Sequence, residues 1–256
     1  MPPLLYSVPV DHAPFGNPRR NYRESPEPET YRRRHRPLHP IQLSLLGSLA
    51  ILRGPLRDLA NSIAGGGDYP RAQERIWIDP SRLSRIYTRN PVETPNYKRR
   101  HSGMVLEGDW DQSTEPLDES WKVAACLAHF RDGVPWADTG VYDQMQNMID
   151  ERGPFDSCAS MADIIKRYEI IDALYSDIRH NGFRDETVHR FGIPRLPQGV
   201  FVHLDRRGQP IFGAIGNHRV GIARALGLTR IPAQLGVVHR SAIDRKALAK
   251  LRSGPA

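Results

Sequence analysis

The last quarter of the chain alternates between strand-like and helix-like patterns of apolar residues. One apolar run, GVFVHLD (199–205), is followed by the polar turn RRGQ and by a second run, PIFGAIG (210–216). Two such runs around a glycine-containing turn are typical of a β-hairpin. The next segment, NHRVGIARALG (217–227), has helical spacing, and IPAQLGVVHR (231–240) has the composition of a closing strand.

The middle of the chain is mainly helical in its spacing. Helices are predicted from about 117 to 131, with Gly133 as the stop, and from about 139 onward. A third helix ends at Asn181-Gly182, and its apolar face is traced by Ile164, Ile165, Tyr168, Ile171, Leu174, Tyr175 and Ile178.

One further strand precedes these helices, because Ile76 and Ile78 flank Trp77 and Pro80 ends the run. Strands and helices in this mixed order predict an α/β (α+β) class, with a small mixed sheet and a helical insert over about 90–160.

The first 75 residues have a different character. Residues 1–40 contain nine prolines and seven arginines, a composition that predicts a disordered basic arm. Residues 41–75 are predicted to form an amphipathic leading helix and a linker, because leucines recur at three- and four-residue steps: Leu45, Leu46, Leu49, Leu52, Leu56 and Leu59. We expect this helix to pack on the main domain, 76–240, or on a partner, and we expect one more helix within 241–256.

Charge and cysteine content narrow the class of protein. The formal net charge of +7 favours phosphate-rich partners such as nucleotides, but residues 1–40 supply three of these charges, so nucleic-acid binding is not required. Cys126 and Cys158 are too few for a disulfide framework, and we expect reduced core thiols.

The best apolar run has 12 residues, short of the roughly 20 that span a bilayer, and the first residues do not resemble a secretion signal. We therefore expect a cytoplasmic protein without a membrane partner.

The start of the helix near 217 is the first candidate site. Gly216 lets the backbone approach a ligand closely, Asn217 is predicted to cap the helix, and His218 and Arg219 add side-chain donors to the first turn. Basic residues at this end oppose the helix dipole, and a bound anion would remove that conflict. A capped surface helix without a ligand explains the same residues, so their chemistry alone leaves both interpretations open.

Carboxylates supply the second candidate. Glu107, Asp109 and Asp111 in LEGDWD alternate, so a strand would place them on one face, where Asp109 and Asp111 suit Mg²⁺ and any of the three suits a catalytic base. A turn at Gly108-Asp109 is the alternative. Glu186, after the third helix, is a further candidate for the catalytic base.

The array VFVHLDRRGQPIFGAIGNHRVGIARALGLTRIPAQLGVVHR resembles the ParB/sulfiredoxin superfamily, whose signature is a strand, a G-x-[HR]-R turn, a helix and a strand that begins with Ile-Pro. The segments IWIDPSRLSRIY and YEIIDALYSDIRHNGF fit the order of the family, and GDWD resembles a branch with a helical insert. The resemblance implies that Gly216, Asn217, His218 and Arg219 hold nucleotide phosphates. Sulfiredoxins have a cysteine where this chain has Asn217, so reductase chemistry is not expected.

Two functions follow from the resemblance. The first is an ATP- or CTP-dependent phosphotransferase or nucleotide hydrolase that acts with Mg²⁺ on a small molecule, similar to the free-serine kinases of the superfamily. The second is a ParB-like DNA-binding protein or nuclease that uses Lys98, Arg99 and Arg100. Only 16 residues follow Arg240, too few for the helix-turn-helix domain of chromosome-partitioning ParB proteins. The sequence does not choose between ATP and CTP.

Overall fold

A mixed β-sheet lies at the centre of the part of the chain that the computed structural model describes, namely residues 54–88, 95–183, 188–190, 193–195 and 199–253. The predicted basic arm, the first part of the leading helix and Glu186 lie outside the described residues. The strands are β1 (Arg75–Ile78), β2 (Arg85–Tyr87), β3 (Val105–Leu106), β4 (Thr114–Pro116), β5 (Val188–Arg190), β6 (Ile193–Arg195), β7 (Val200–Leu204), β8 (Pro210–Phe212) and β9 (Ile231–His239).

Within these ranges the sheet has the order β1-β9-β7-β8-β2-β4, and β3 pairs with the end of β9; β5 and β6 pair only with each other. β9 is buried along its whole length and lies antiparallel to β1 and parallel to β7. The β7–β8 hairpin is antiparallel, and β2 joins β8 in parallel. Central strands buried on both faces have continuous apolar runs rather than alternation, which is the pattern of VFVHL.

The helices are α1 (54–65), α2 (Trp121–Phe130), α3 (Val141–Arg152), α4 (Met161–Asn181), α5 (Asn217–Ala225), α6 (Arg240–Asp244) and α7 (Ala247–Arg252). α2 and α5 form a middle layer with two apolar sides. One side packs on the sheet through Val123 and Val220. The other side, with Cys126 and Ile222, packs on α3 and α4.

The opposite face of the sheet is covered by an aromatic cluster that includes Tyr87 and Trp110. His203 of β7 is fully buried against this cluster, and its Nδ1 accepts a hydrogen bond from the N–H of Val237 at 3.1 Å. A Cβ at Gly236 would lie 2.3 Å from that nitrogen, so glycine makes room for the imidazole ring. Burial lowers the pKa of His203 to about 3, and the residue is a neutral part of the core.

The predicted α/β class is confirmed, as are the hairpin, the helix near 217 and the closing strand. Two short helices, α6 and α7, replace the single helix predicted after 240, because Lys246 adopts a left-handed conformation (φ 54°) that a continuous helix does not allow. None of the helices in the described ranges is long and apolar enough to cross a bilayer.

Candidate functional site

The backbone turns sharply between β8 and α5. Ala214 and Gly216 have φ values of 58° and 95°. A Cβ at Gly216 would lie 3.1 Å from the Cα of Val200, so both its φ and its close approach to β7 favour glycine. The predicted cap by Asn217 is wrong, because Gly216 is the N-cap residue and the Asn217 amide instead donates to the carbonyl of Ala214 at 3.3 Å.

Close packing of two helices brings a lysine to this turn. A Cβ at Gly221 of α5 would lie only 2.4 Å from the Cβ of Cys126 on α2, so glycine permits the close approach. Lys122 is one helical turn before Cys126, and His218 is three residues before Gly221. The side chain of Lys122 therefore lies near the first turn of α5.

A cleft of about 630 Å³ opens at the N-terminus of α5, within the size range of small-molecule sites. Its walls are formed by the turn before α5, the first turn of α5, one side of α4, the 156–158 loop and α2: Ala214, Ile215, Gly216, Asn217, His218, Arg219, Asp163, Lys166, Arg167, Ile170, Ile171, Leu174, Asp156, Ser157, Cys158 and Lys122. All four predicted phosphate-binding residues thus line a single cleft.

Basic side chains dominate one end of the cleft. Asp156 accepts contacts from Lys122 Nζ at 2.6 Å and from Arg167 Nη2 at 2.8 Å. Burial alone would raise the pKa of Asp156, but the two cations outweigh it and hold the pKa below its usual value. The Nε of Arg167 is buried and has no hydrogen-bond partner in the described part of the chain. One carboxylate is therefore shared by two cations, and the group keeps a net positive charge.

The loop that carries Asp156 has an unusual backbone. Asp156 and Ser157 have φ values of 52° and 68°, although neither is glycine. Such conformations cost of order 1–3 kcal/mol each and persist only where surrounding contacts hold them. Here the ion pairs of Asp156 and the paired backbone groups of Phe155 and Cys158 hold the loop against the cleft.

His218 is neutral in this environment. Burial is the largest cause, and together with the nearby charges of Lys122 and Arg167, and against the opposing effect of Asp156, it lowers the pKa of His218 to about 3. Its Nε2 lies 3.5 Å from the hydroxyl of Tyr168. Because the imidazole is neutral, Arg219 is the only one of these two basic residues whose charge opposes the helix dipole in this turn.

The other end of the cleft is apolar. Ile170, Ile171 and Leu174 of α4 line it, and Ile170 is 63% exposed although it is a large aliphatic residue. A cleft with one basic and one apolar end fits a ligand that joins an anion to a flat or aliphatic group.

Of the two interpretations of LEGDWD, a carboxylate strand and a turn at Gly108-Asp109, the structure has the turn. β3 ends at Leu106, Gly108 has a φ of 85°, and Asp111 lies in a short 3₁₀ helix. Asp111 is buried and binds Arg206, which also contacts the exposed Asp109 at 2.7 Å, while Glu107 lies 3.6 Å from Arg240. The three carboxylates are not among the residues that line the cleft.

A magnesium site does not fit these residues. Asp109 and Asp111 both bind the guanidinium of Arg206, which occupies both oxygens of Asp111 and one oxygen of Asp109. Within the described ranges no group of three or more His, Cys, Asp or Glu side chains is arranged to hold a metal ion. Asp156 in the cleft is likewise engaged by two cations. A metal ion in the cleft would therefore have to be coordinated by the molecule bound there rather than by these carboxylates.

The basic segment at 98–100 is partly structural. Arg99 binds the side chain of Gln234 and donates to the carbonyl of Gly199 at 2.7 Å, which ties the segment to the sheet. Burial lowers the pKa of Arg99. Lys98 and Arg100 are exposed.

Both thiols are buried and reduced, as predicted. Burial raises the pKa of Cys126 to about 12 and also raises the pKa of Cys158, so neither is a thiolate near neutral pH.

The sequence did not indicate Lys122, Asp156, Lys166 or Arg167 as site residues. Lys166 and Arg167 lie between the apolar positions of α4, where charged residues normally face solvent. Lys122 and Asp156 are 34 residues apart and stand in no recognisable motif. Only the packing of α2 and α4 against α5 brings these side chains together.

Comparison of the chain with protein-family models, with curated proteins and with solved structures finds no match.

Proposed function

We propose that this protein binds a nucleoside polyphosphate, ATP or CTP, in the cleft at the N-terminus of α5, as a distant member of the ParB/sulfiredoxin superfamily. The observation that carries the proposal is the composition of the cleft. The residues Gly216–Arg219, which resemble a phosphate-binding turn, share one cleft with basic side chains from two other helices.

The phosphates would lie on the first turn of α5, whose N–H groups have no carbonyl earlier in the helix to bind. Lys122, Lys166 and Arg167 would compensate their charge. The base and sugar would extend along Ile170 and Leu174. This orientation places charge at the basic end of the cleft and apolar area at the other.

Phosphoryl transfer or hydrolysis is the activity that we propose for this cleft. Lys122 and Arg167 stand where they would stabilise charge on a transferred phosphoryl group, and Asp156 would accept a hydrogen bond from the attacking hydroxyl or water. The low pKa of Asp156 makes it suited to orienting a nucleophile rather than to removing its proton.

The nucleic-acid alternative has less support, because Arg99, the middle residue of the predicted basic patch, is bound to Gln234 and Gly199. Lys98 and Arg100 alone form a small basic surface. Binding of DNA to the full chain, with an affinity that falls steeply as salt rises and that survives removal of 1–40, would favour this alternative.

Calorimetric titration with ATP, CTP, GTP and UTP, with and without Mg²⁺, tests the proposal. We expect one nucleotide to bind and to raise the melting temperature, and His218→Ala combined with Arg219→Ala to weaken binding at least about tenfold, since two donors of the first turn are lost. Release of the diphosphate then reports turnover.

Arg179→Ala combined with His180→Ala is the matched control. This adjacent pair is exposed near the C-terminus of α4, outside the cleft. Its removal deletes the same two side-chain types and should leave binding unchanged. Absence of binding by every nucleotide, or equal losses in both double variants, would contradict the proposal.

A further inference from the structure

Tyr168 of α4 lies directly behind the cleft. It is fully buried and is not among the residues that line the cleft. Its ring centroid lies 4.7 Å from that of Trp136 and 5.5 Å from that of Tyr142. The indole Nε1 of Trp136 donates to Asp172 at 2.8 Å, so this neighbour of Tyr168 is itself held in place. Packing therefore sets the position of the Tyr168 hydroxyl.

The hydroxyl of Tyr168 faces His218. Its oxygen lies 3.5 Å from Nε2 of His218, and the two rings meet edge to face at 86°. The contact is long for a hydrogen bond, yet this nitrogen is the one partner of the hydroxyl within the described residues. Burial raises the pKa of Tyr168, so the hydroxyl keeps its proton. A buried donor without an acceptor is costly, which favours donation from Tyr168 to Nε2.

This contact determines which nitrogen of His218 carries the proton. The imidazole is neutral, because its pKa is lowered to about 3, so it has one N–H donor and one acceptor nitrogen. If Nε2 accepts from Tyr168, the proton is on Nδ1. His218 lines the cleft, and its Nδ1 has no hydrogen-bond partner in the described part of the chain. The opposite tautomer would leave the buried hydroxyl of Tyr168 without an acceptor.

We propose that Tyr168 is a positioning residue that holds His218 in the Nδ1–H tautomer, so that His218 offers a neutral N–H donor to an anion in the cleft. The identity of that anion, a phosphate group, rests on the proposed function. Nδ1 already carries a proton, and Nε2 is engaged by Tyr168. His218 is therefore a hydrogen-bond donor and not the general base for an attacking hydroxyl or water. The positive charge at this end of the cleft comes from Lys122 and Arg167.

NMR of the full chain, labelled with ¹⁵N-histidine, tests the tautomer in the absence of nucleotide. Loss of signals in His218→Gln identifies those of His218. At neutral pH we expect Nδ1 to show the chemical shift of a protonated nitrogen and Nε2 that of an unprotonated one. Tyr168→Phe removes only the hydroxyl and should move the proton towards Nε2. Tyr142→Phe, the matched control at a tyrosine that packs against Tyr168, should leave the His218 tautomer unchanged.

Calorimetric titration with ATP, CTP and tripolyphosphate measures the effect on affinity. Tyr168→Phe should weaken binding about three- to tenfold, because one neutral hydrogen bond to the ligand is weakened. In the His218→Ala background the same substitution should have no further effect, because Tyr168 acts through His218. This comparison separates positioning of His218 from a general contribution of Tyr168 to packing.

A wild-type His218 with its proton on Nε2, or with both nitrogens protonated at neutral pH, would overturn the proposal. A tautomer that is unchanged in Tyr168→Phe would also overturn it, as would an equal loss of affinity with and without His218. If the wild-type protein binds none of the three probes, the proposed function fails, and the tautomer measured without nucleotide still decides whether Tyr168 positions His218.

Discussion

At the scale of single residues, the role of a side chain in this protein depends on its surroundings as well as on its chemical type. Asp109 and Asp111 are two positions apart, yet one is exposed and the other is buried beneath Arg206. Burial alone would raise the pKa of Asp111, but the hydrogen bonds and charge of Arg206 outweigh it and hold the pKa below its usual value. Asp111 therefore joins the 3₁₀ turn to the β7–β8 hairpin as a structural carboxylate.

Substitution of these two residues separates a structural from a catalytic role. Asp111→Asn should lower the free energy of unfolding by roughly 2–3 kcal/mol, because a half-exposed arginine loses its buried partner. Asp109→Asn should cost less than about 1 kcal/mol, as expected for an exposed ion pair. Urea unfolding measures both values.

Nucleotide affinity should be unchanged in both variants, because neither residue lines the cleft. If the Asp111→Asn protein is stable but no longer binds nucleotide, Asp111 takes part in the binding site and its role is not only structural.

At the scale of elements, the 156–158 loop and helices α2 and α4 form one charged unit. Asp156 is held between Lys122 and Arg167, so the loop places a negatively charged carboxylate in the cleft. An anionic ligand must compete with this carboxylate for the same two cations. Burial lowers the pKa of Lys122, and Asp156 opposes that effect.

Asp156→Asn should therefore change stability and binding in opposite directions. We expect the free energy of unfolding to fall by about 1–3 kcal/mol, because two cations lose their partner. We expect affinity for a nucleotide or for tripolyphosphate to rise several-fold at low salt, because the cleft becomes more positive. Thermal unfolding and calorimetry report the two effects.

Asp163→Asn is the control, since Asp163 lines the same cleft but bonds to Ser160 and the N–H of Ala159 rather than to the cations. It should change affinity much less. Equal gains in both variants would mean that net charge, not the ion pairs of Asp156, limits binding.

At the scale of the whole molecule, two neutral histidines, the buried His203 and the partly buried His218, link stability to pH. His203 and His218 have pKa values lowered to about 3, mainly by burial, from the ordinary histidine value of about 6.5. The unfolded chain takes up protons on these residues below about pH 6.5, whereas the folded protein does not until about pH 3. Stability is therefore full above about pH 6.5 and falls as the pH decreases through this window.

Unfolding at about pH 5 should take up about two protons through these residues, beyond the contribution of carboxylates. His218→Gln should reduce the dependence of unfolding free energy on pH by about one proton. Denaturant unfolding at several pH values measures the slope, and an unchanged slope in His218→Gln would show that His218 is protonated in the folded protein.

The sequence determined the local elements where the pattern of apolar residues is dense. The β7–β8 hairpin, α5 and β9 follow directly from runs and spacings between 199 and 240, because local sterics and burial act on neighbouring residues. The same local pattern identified Gly216 as the turn residue before α5. At LEGDWD the pattern allowed either a strand or a turn, and the structure has the turn at Gly108.

Only the tertiary structure decided which residues share a site. Lys122, Asp156 and Arg167 come from different helices and a loop, and ion pairs between them form only when α2 and α4 pack against α5. It also decided the orientation of α1, whose polar face bonds to the domain. Spacing defines two faces of a helix, but the contacts of the folded chain decide which face is buried.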